Sequence, residues 1–160
     1  MEKLQPARYE DGRPMLLGGL RRHHAFAESG RGIPEQWRQF EPLLGRIPGQ
    51  VGTTTYGAMC GSDASGFEYM CAVEVESLSA LPGDLGRMRI AEQHYAVFLH
   101  RGNVSTIQGT WRRILNEWLP NCSYRSANKP DFEVYDQRFD PRTGLGDVEI
   151  WISIVQGEGT

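Results

Sequence analysis

Two stretches of the chain show the same succession of hydrophobic and polar patterns. In the first, PMLLGGL (14–20) reads as a short apolar strand, and GIPEQWRQFEPLL (32–44) follows with Ile33, Trp37, Phe40 and Leu44 at helical spacing. Pro34 suits the first turn of that helix, where its missing N–H costs nothing, whereas Pro42 should kink or end it. TTTYGAMCG (53–61) and FEYMCAVEV (67–75) then read as two strands joined by the turn-rich SDASG. In the second stretch, MRIAEQHYAVFLH (88–100) is one strand with Tyr95, Val97 and Leu99 on a common face. STIQGTWRRILNEWL (105–119) is an amphipathic helix with Ile107, Trp111, Ile114, Leu115, Trp118 and Leu119 on its apolar stripe. Ser105 and Gln108 fit a capping box at its start. Two closing strands follow, PDFEVYDQRF and DVEIWISI.

The halves correspond in detail. Trp37 matches Trp111, IPG (47–49) matches LPN (119–121), and GFEY (66–69) roughly matches DVEI (147–150). SALPGDLG (79–86) is the link. Three strands and one helix leave a sheet edge and an apolar face open, so neither half is expected to fold alone. The expected fold is therefore α+β. Two pseudo-symmetric strand-helix-strand-strand modules, about 8–78 and 86–156 of a single domain covering 1–160, form one antiparallel sheet. Helices cover one face, and a ligand cleft lies between the modules.

The last two strands carry the candidate chemistry. Each places a carboxylate two residues before an aromatic: Glu133 with Tyr135, and Glu149 with Trp151. Residues i and i+2 of a strand share a face, so each pair points together. Phe132, Val134, Val148, Ile150, Ile152 and Ile154 fall on the opposite, core-facing sides. A carboxylate beside a ring suits a flat, partly apolar cation. The plain alternative for Glu133 is a strand glutamate in a salt bridge. Glu149 either shares the face of Glu133 or is a solvated strand residue. Two carboxylates close together in a dry cleft would leave one protonated at neutral pH. Tyr56, Met70, Tyr95 and Phe98 are candidate pocket liners from neighbouring strands, and Met59 is another; ordinary core packing accounts for them equally well.

Composition narrows the classes. A chain of 160 residues with 39% hydrophobic and 23% charged residues suits one domain that buries roughly 70% of its unfolded surface. The formal net charge of −3 and the brevity of Arg21-Arg22 and Arg112-Arg113 argue against direct nucleic-acid binding. No segment approaches the ~20 apolar residues of a membrane helix, and the first residues lack the apolar core of a signal peptide. Cys60, Cys71 and Cys122 are odd in number and lack a CxxC, which points to reduced thiols in a bacterial cytoplasm. His23-His24 point oppositely on a strand, and His94 and His100 stand roughly 20 Å apart along one. Neither pair reads as a metal site, and no cofactor is expected.

The ordered set PAR, LLGGL, IPEQWRQF, TTYG, YAVFLHRG, TWRRILNEWLP, DFEVY and VEIWISI resembles the GyrI-like superfamily of effector-binding domains. These domains occur in AraC-type and multidrug-sensing MerR-type regulators and as stand-alone proteins. The resemblance covers nearly the whole chain. It implies the two-module fold and a cleft for cationic, amphipathic small molecules. It also implies a buried glutamate ringed by aromatics, which falls on Glu133, with Tyr135 and Trp151 beside it. Two departures are expected: a module without a DNA-binding domain ahead of it, as in free-standing integron cassette proteins, and a longer linker at DPRTGLG (140–146).

The leading functional expectation is a small-molecule binding module acting with a protein partner in trans or by sequestration. The alternatives are a hydrolase of strained ring electrophiles using a Glu/Tyr pair, and an inhibitor that modulates gyrase. A homodimer through an exposed strand edge is left open.

Overall fold

A computed structural model describes residues 3–157, without the side chain of Cys60. The strands are β1 (Arg8–Gly12), β2 (Met15–His24), β3 (Gln50–Asp63), β4 (Gly66–Val75), β5 (Gly86–Ile90), β6 (Gln93–His100), β7 (Tyr124–Ser126), β8 (Asp131–Tyr135), β9 (Phe139–Asp140), β10 (Leu145–Gly146) and β11 (Val148–Gln156). The helices are α1 (Ser29–Phe40) and α2 (Ile107–Arg113). This is the expected α+β class, with antiparallel sheets and two helices.

Two compact units emerge. One is Arg13–Ala91; the other joins the N-terminal stretch up to Gly12 to the chain from Glu92 onward. Within the first, the strand order is β3-β4-β2-β5. Alternation along β2 and β4 buries Leu20, Tyr69, Cys71 and Val73 in a core that Phe40 of α1, Ile47 and Leu81 complete. Pro42 ends α1 as its chemistry requires, and a 3-10 turn takes over at Glu41–Leu43. The helix begins earlier than the hydrophobic spacing suggests, at Ser29, so Pro34 lies inside it. The β3–β4 turn is set by Asp63, whose Oδ1 accepts from the Ser65 N–H (2.8 Å), the Ser65 hydroxyl (2.6 Å) and the Gly66 N–H (3.2 Å). Gly19 has a distinct reason: a Cβ there would stand 1.8 Å from the carbonyl oxygen of Cys71. The β2 and β4 backbones approach so closely that only glycine fits.

In the second unit the order is β1-β6-β11-β8, with β7 pairing the far end of β11. The stretch 88–100, expected as one strand, is two. Residues 91 and 92 break it; β5 pairs with β2 in the first unit, and β6 pairs with β1 and β11 in the second. On α2 and the turn that follows it, Ile107, Trp111, Ile114 and Trp118 are buried. Leu115 is exposed instead of joining this stripe, because α2 runs into a π turn at Ile114–Trp118 whose greater number of residues per turn departs from 3.6-residue spacing. Asn103 caps the helical segment, its side chain accepting from the Ser105 N–H at 2.9 Å.

Where β8 stops and β7 takes over on β11, the ladder is bridged by a side chain. Asp131 Oδ1 accepts from both the N–H (2.8 Å) and the hydroxyl (3.0 Å) of Ser153. Burial pushes the Asp131 carboxyl up to about 6, and the Ser153 hydrogen bonds offset part of that rise.

Candidate functional site

Strand register decides which side chains meet. β8 and β11 pair with Glu133 opposite Ile150, Val134 opposite Glu149, and Phe132 opposite Trp151. Directly opposed residues share a face, so Glu133 and Tyr135 lie on one side of this sheet and Glu149 and Trp151 on the other. The open alternative of a face shared by Glu133 and Glu149 is thereby corrected. Side chains alternate along each strand as expected, but Glu133 shares its face with Ile150 on the core side, because the pairing offset cannot be read from either strand alone and one residue of offset exchanges the faces.

Glu133 sits on the side covered by α2. It is 3% exposed. Its Oε2 accepts from the Trp111 indole N–H at 2.7 Å, and its Oε1 from the Tyr135 hydroxyl at 2.8 Å. Both donors are neutral. Tyr135 is held edge-on by Phe139 (ring centroids 5.0 Å apart), so the small β9–β10 hairpin formed by the long linker supports this site. Phe98, cross-strand from Ile150, is on the same face and meets Trp118 edge-on at 4.9 Å. A buried carboxylate that bonds Trp111 and Tyr135, with Ile150 and then Phe98 beside it along the same face, is a charged group on a mostly apolar and aromatic face, the usual make-up of a small-molecule site.

Glu149 has a different environment. The Arg8 guanidinium grips it with two hydrogen bonds (2.9 and 3.1 Å), the Trp151 indole donates to Oε1 at 2.9 Å, and Arg138 stands 3.2 Å from Oε2. Arg138 is itself held by Asp136. Burial tends to raise the Glu149 carboxyl, but the hydrogen bonds from Arg8 and Trp151 prevail and hold it below its ordinary value. The Arg8 side chain also lies over Trp151, 5.7 Å from its centroid. Trp151 stacks on Phe132 (5.4 Å), and Tyr95 meets both rings edge-on at 5.3 Å. This side is an aromatic layer with a neutralised acid, built on β1, β6, β8 and β11.

The eight candidate residues therefore fall into three groups: Glu133, Tyr135 and Phe98 under α2; Glu149, Trp151 and Tyr95 on the opposite face; and Tyr56 and Met70, both buried, on β3 and β4 of the other unit. The helical spacing buries Trp111 but carries no sign that its indole N–H is a partner for Glu133. The signal was the Trp37–Trp111 correspondence, because Trp37 Nε1 likewise donates onto its sheet, to the Tyr69 hydroxyl at 3.1 Å. Arg8 and Arg138 carried no local signal. His24 points inward and pairs with Gln36 (2.6 Å), and no cluster of metal-ligating side chains occurs among the described residues. None of the described helices is long and apolar enough to cross a membrane.

The GyrI-like small molecule binding domain family matches residues 8–155. The chain belongs to this family. The transcriptional regulator BrlR of Pseudomonas aeruginosa is 29% identical over 127 residues, covering 78% of this chain and 47% of that protein, so the chain spans about half the length of that regulator. The structure of SAV2435 bound to tetraphenylphosphonium superposes with a TM-score of 0.73 at 16% identity, covering 92% of this chain and 93% of that one. The integron cassette protein VCH_CASS2 from the mobile metagenome of Vibrio cholerae superposes at 0.69 with 18% identity, covering 96% and 100%. The GyrI-like assignment makes this a small-molecule binding domain, and the two structures share its fold.

Proposed function

We propose that this domain binds cationic, amphipathic small molecules as an effector-sensing module, with Glu133 as the charge partner. The observation that carries the reading is a contrast between the two units. In both, a helix tryptophan donates onto the sheet beneath it. In the first unit the acceptor is the neutral phenol of Tyr69; in the second it is the carboxylate of Glu133. A neutral oxygen suffices to satisfy the indole, so the charge at 133 has another role. A carboxylate is costly to bury in apolar surroundings, which argues for a use of its charge. An organic cation entering beside Glu133 meets its carboxylate, and Tyr135, Trp111 and Phe98 supply area and cation–π contact. The related fold of SAV2435 with tetraphenylphosphonium supports this ligand class. Glu149 is the weaker candidate because two arginines already neutralise it. Trp111 caps the carboxylate, so its indole must yield or re-aim when a ligand enters. By likeness to BrlR, the biological readout is transcriptional control through a DNA-binding partner or segment.

A matched panel of aromatic dyes, cationic, neutral and anionic, titrated against tryptophan fluorescence tests the reading. Saturable quenching by the cations and not by the neutral analogues at Glu133 is the expected result. Equal response to neutral and cationic dyes would refute a charge-selected pocket.

A further inference from the structure

The outer side of α2 carries a feature unrelated to Glu133. A groove of about 820 Å³ is lined by Leu4, Leu99, His100, Arg101 and Thr106, and by Gly109, Thr110, Arg112, Arg113, Asn116 and Glu117 from the helix and its π turn. Its charges are three arginines against one glutamate, a local +2 on a chain whose net charge is −3. Arg113 is spoken for, since its guanidinium bonds Glu117 at 3.2 Å. Arg101 and Arg112 differ: among the described residues neither guanidinium has a hydrogen-bond or ion-pair partner. They come from different elements, one just past β6 and one on α2. Elsewhere in this unit Arg8 and Arg138 are each engaged by carboxylates, so the groove sets two unpaired guanidinium groups from different elements along one surface.

The remaining lining favours a ligand over bulk water. Leu4 and Leu99 are half-buried apolar walls, and a Cβ built at Gly109 meets nothing within 4 Å, so the helix face there is bare. The His100 ring is pinned between the Asn103 carbonyl oxygen (3.0 Å from Nε2) and the Thr110 hydroxyl (2.7 Å from Nδ1), so this wall is rigid. Nε2–H donates to the carbonyl, and Nδ1 accepts from Thr110. Guanidinium groups match carboxylate, sulfonate and phosphate geometry with paired N–H donors.

We propose that this groove is a second binding site, for an amphipathic organic anion whose acid group is held by Arg101 and Arg112 and whose apolar part rests on Leu4, Leu99 and the bare face at Gly109. This does not depend on the cation site at Glu133. The two sites lie on opposite sides of one short helix, with Trp111 facing inward and Arg112, the next residue, outward.

The test is a titration with 8-anilinonaphthalene-1-sulfonate, read by its fluorescence, on the wild type, the double variant Arg101→Gln/Arg112→Gln, Gly109→Leu and Glu133→Gln. The arginine variant should weaken binding at least about tenfold, as loss of charge-assisted bonds does. Gly109→Leu should weaken it by occlusion, with both arginines intact. Glu133→Gln should leave it unchanged, so the outcome is separate from that of the cation pocket. Wild-type affinity in both groove variants, or a loss only in Glu133→Gln, would overturn the proposal. All four substitutions are surface changes or near-isosteric, and circular dichroism verifies the fold of each.

Discussion

The indole N–H of Trp111 donates to the carboxylate of Glu133 at 2.7 Å, joining the centre of α2 to the middle of β8 inside the second unit. This contact is both a structural tie and, on the account above, the latch over the ligand's charge partner. Trp111→Phe separates the two roles. It keeps an aromatic ring but removes the donor and part of the indole's volume, so it should cost about 1–3 kcal/mol of stability, from a buried acceptor that loses a partner and a small cavity. It should also free Oε2 and strengthen binding of an organic cation. Denaturant unfolding and dye titration check the two effects on the same sample. Weaker cation binding in a folded variant would show that the indole serves the ligand and does not compete with it.

Glu149 should report on acid stability. Its carboxyl is held below the ordinary value near 4.5, chiefly by Arg8 and Trp151 against the opposing pull of burial. A depressed acid adds stability that is present above the unfolded value and is lost as pH falls through the folded one. The wild type should therefore lose stability below about pH 4.5, and Glu149→Gln should show a shallower acid decline from a lower starting point. Arg8→Met should cost about 1–2 kcal/mol at neutral pH, reduced because Arg8 is partly exposed and Arg138 remains. Thermal melts from pH 3 to 7 decide the matter; parallel acid profiles for wild type and Glu149→Gln would rule the network out as the cause.

Asp131 has the opposite sign. Its folded carboxyl titrates at about 6, against an ordinary value of 3.8, so the folded state holds the proton more tightly than the unfolded chain. Stability from this group is full below pH 3.8 and falls as pH rises toward 6, by about 3 kcal/mol at most. Asp131→Asn keeps an oxygen for the two Ser153 donors and removes the titration. Relative to wild type it should gain stability as pH is raised from 4 to 7. A constant difference across that range would contradict the assignment.

Two glycines should respond oppositely to alanine. Gly19→Ala drives a Cβ into the Cys71 carbonyl oxygen and should destabilise by at least about 2 kcal/mol. Gly30→Ala, on α1 with open space around it, should stabilise by about 0.5–1 kcal/mol. Thermal unfolding of the pair checks both, and equal shifts would show that the close approach of β2 and β4 is relieved at little cost.

Much of this was legible in the sequence because period-2 and period-3.6 patterns are local. The α+β class, both helices, the end of α1 at Pro42 and the pairing of Glu133 with Tyr135 follow from a few residues each. Three features were not legible. The split of 88–100 into β5 and β6 depends on which strands each half finds as partners, and nothing in MRIAEQHYAVFLH marks it. The separation of Glu133 from Glu149 depends on a single register offset between β8 and β11. The capture of Glu149 by Arg8 joins positions 141 apart in the chain, on β1 and β11, and β1 reaches that strand only by pairing with β6. The role of Trp111 lay between: its burial was evident from spacing, but its donor was not.

The most direct test of the central claim is calorimetric titration of tetraphenylphosphonium into the wild type and Glu133→Gln, with a neutral tetraaryl analogue as the control. The account predicts saturable cation binding by the wild type, weakened at least about tenfold in a variant that still folds, and little response to the neutral analogue in either. Equal affinity of both proteins for the cation would contradict the assignment of Glu133 as its charge partner.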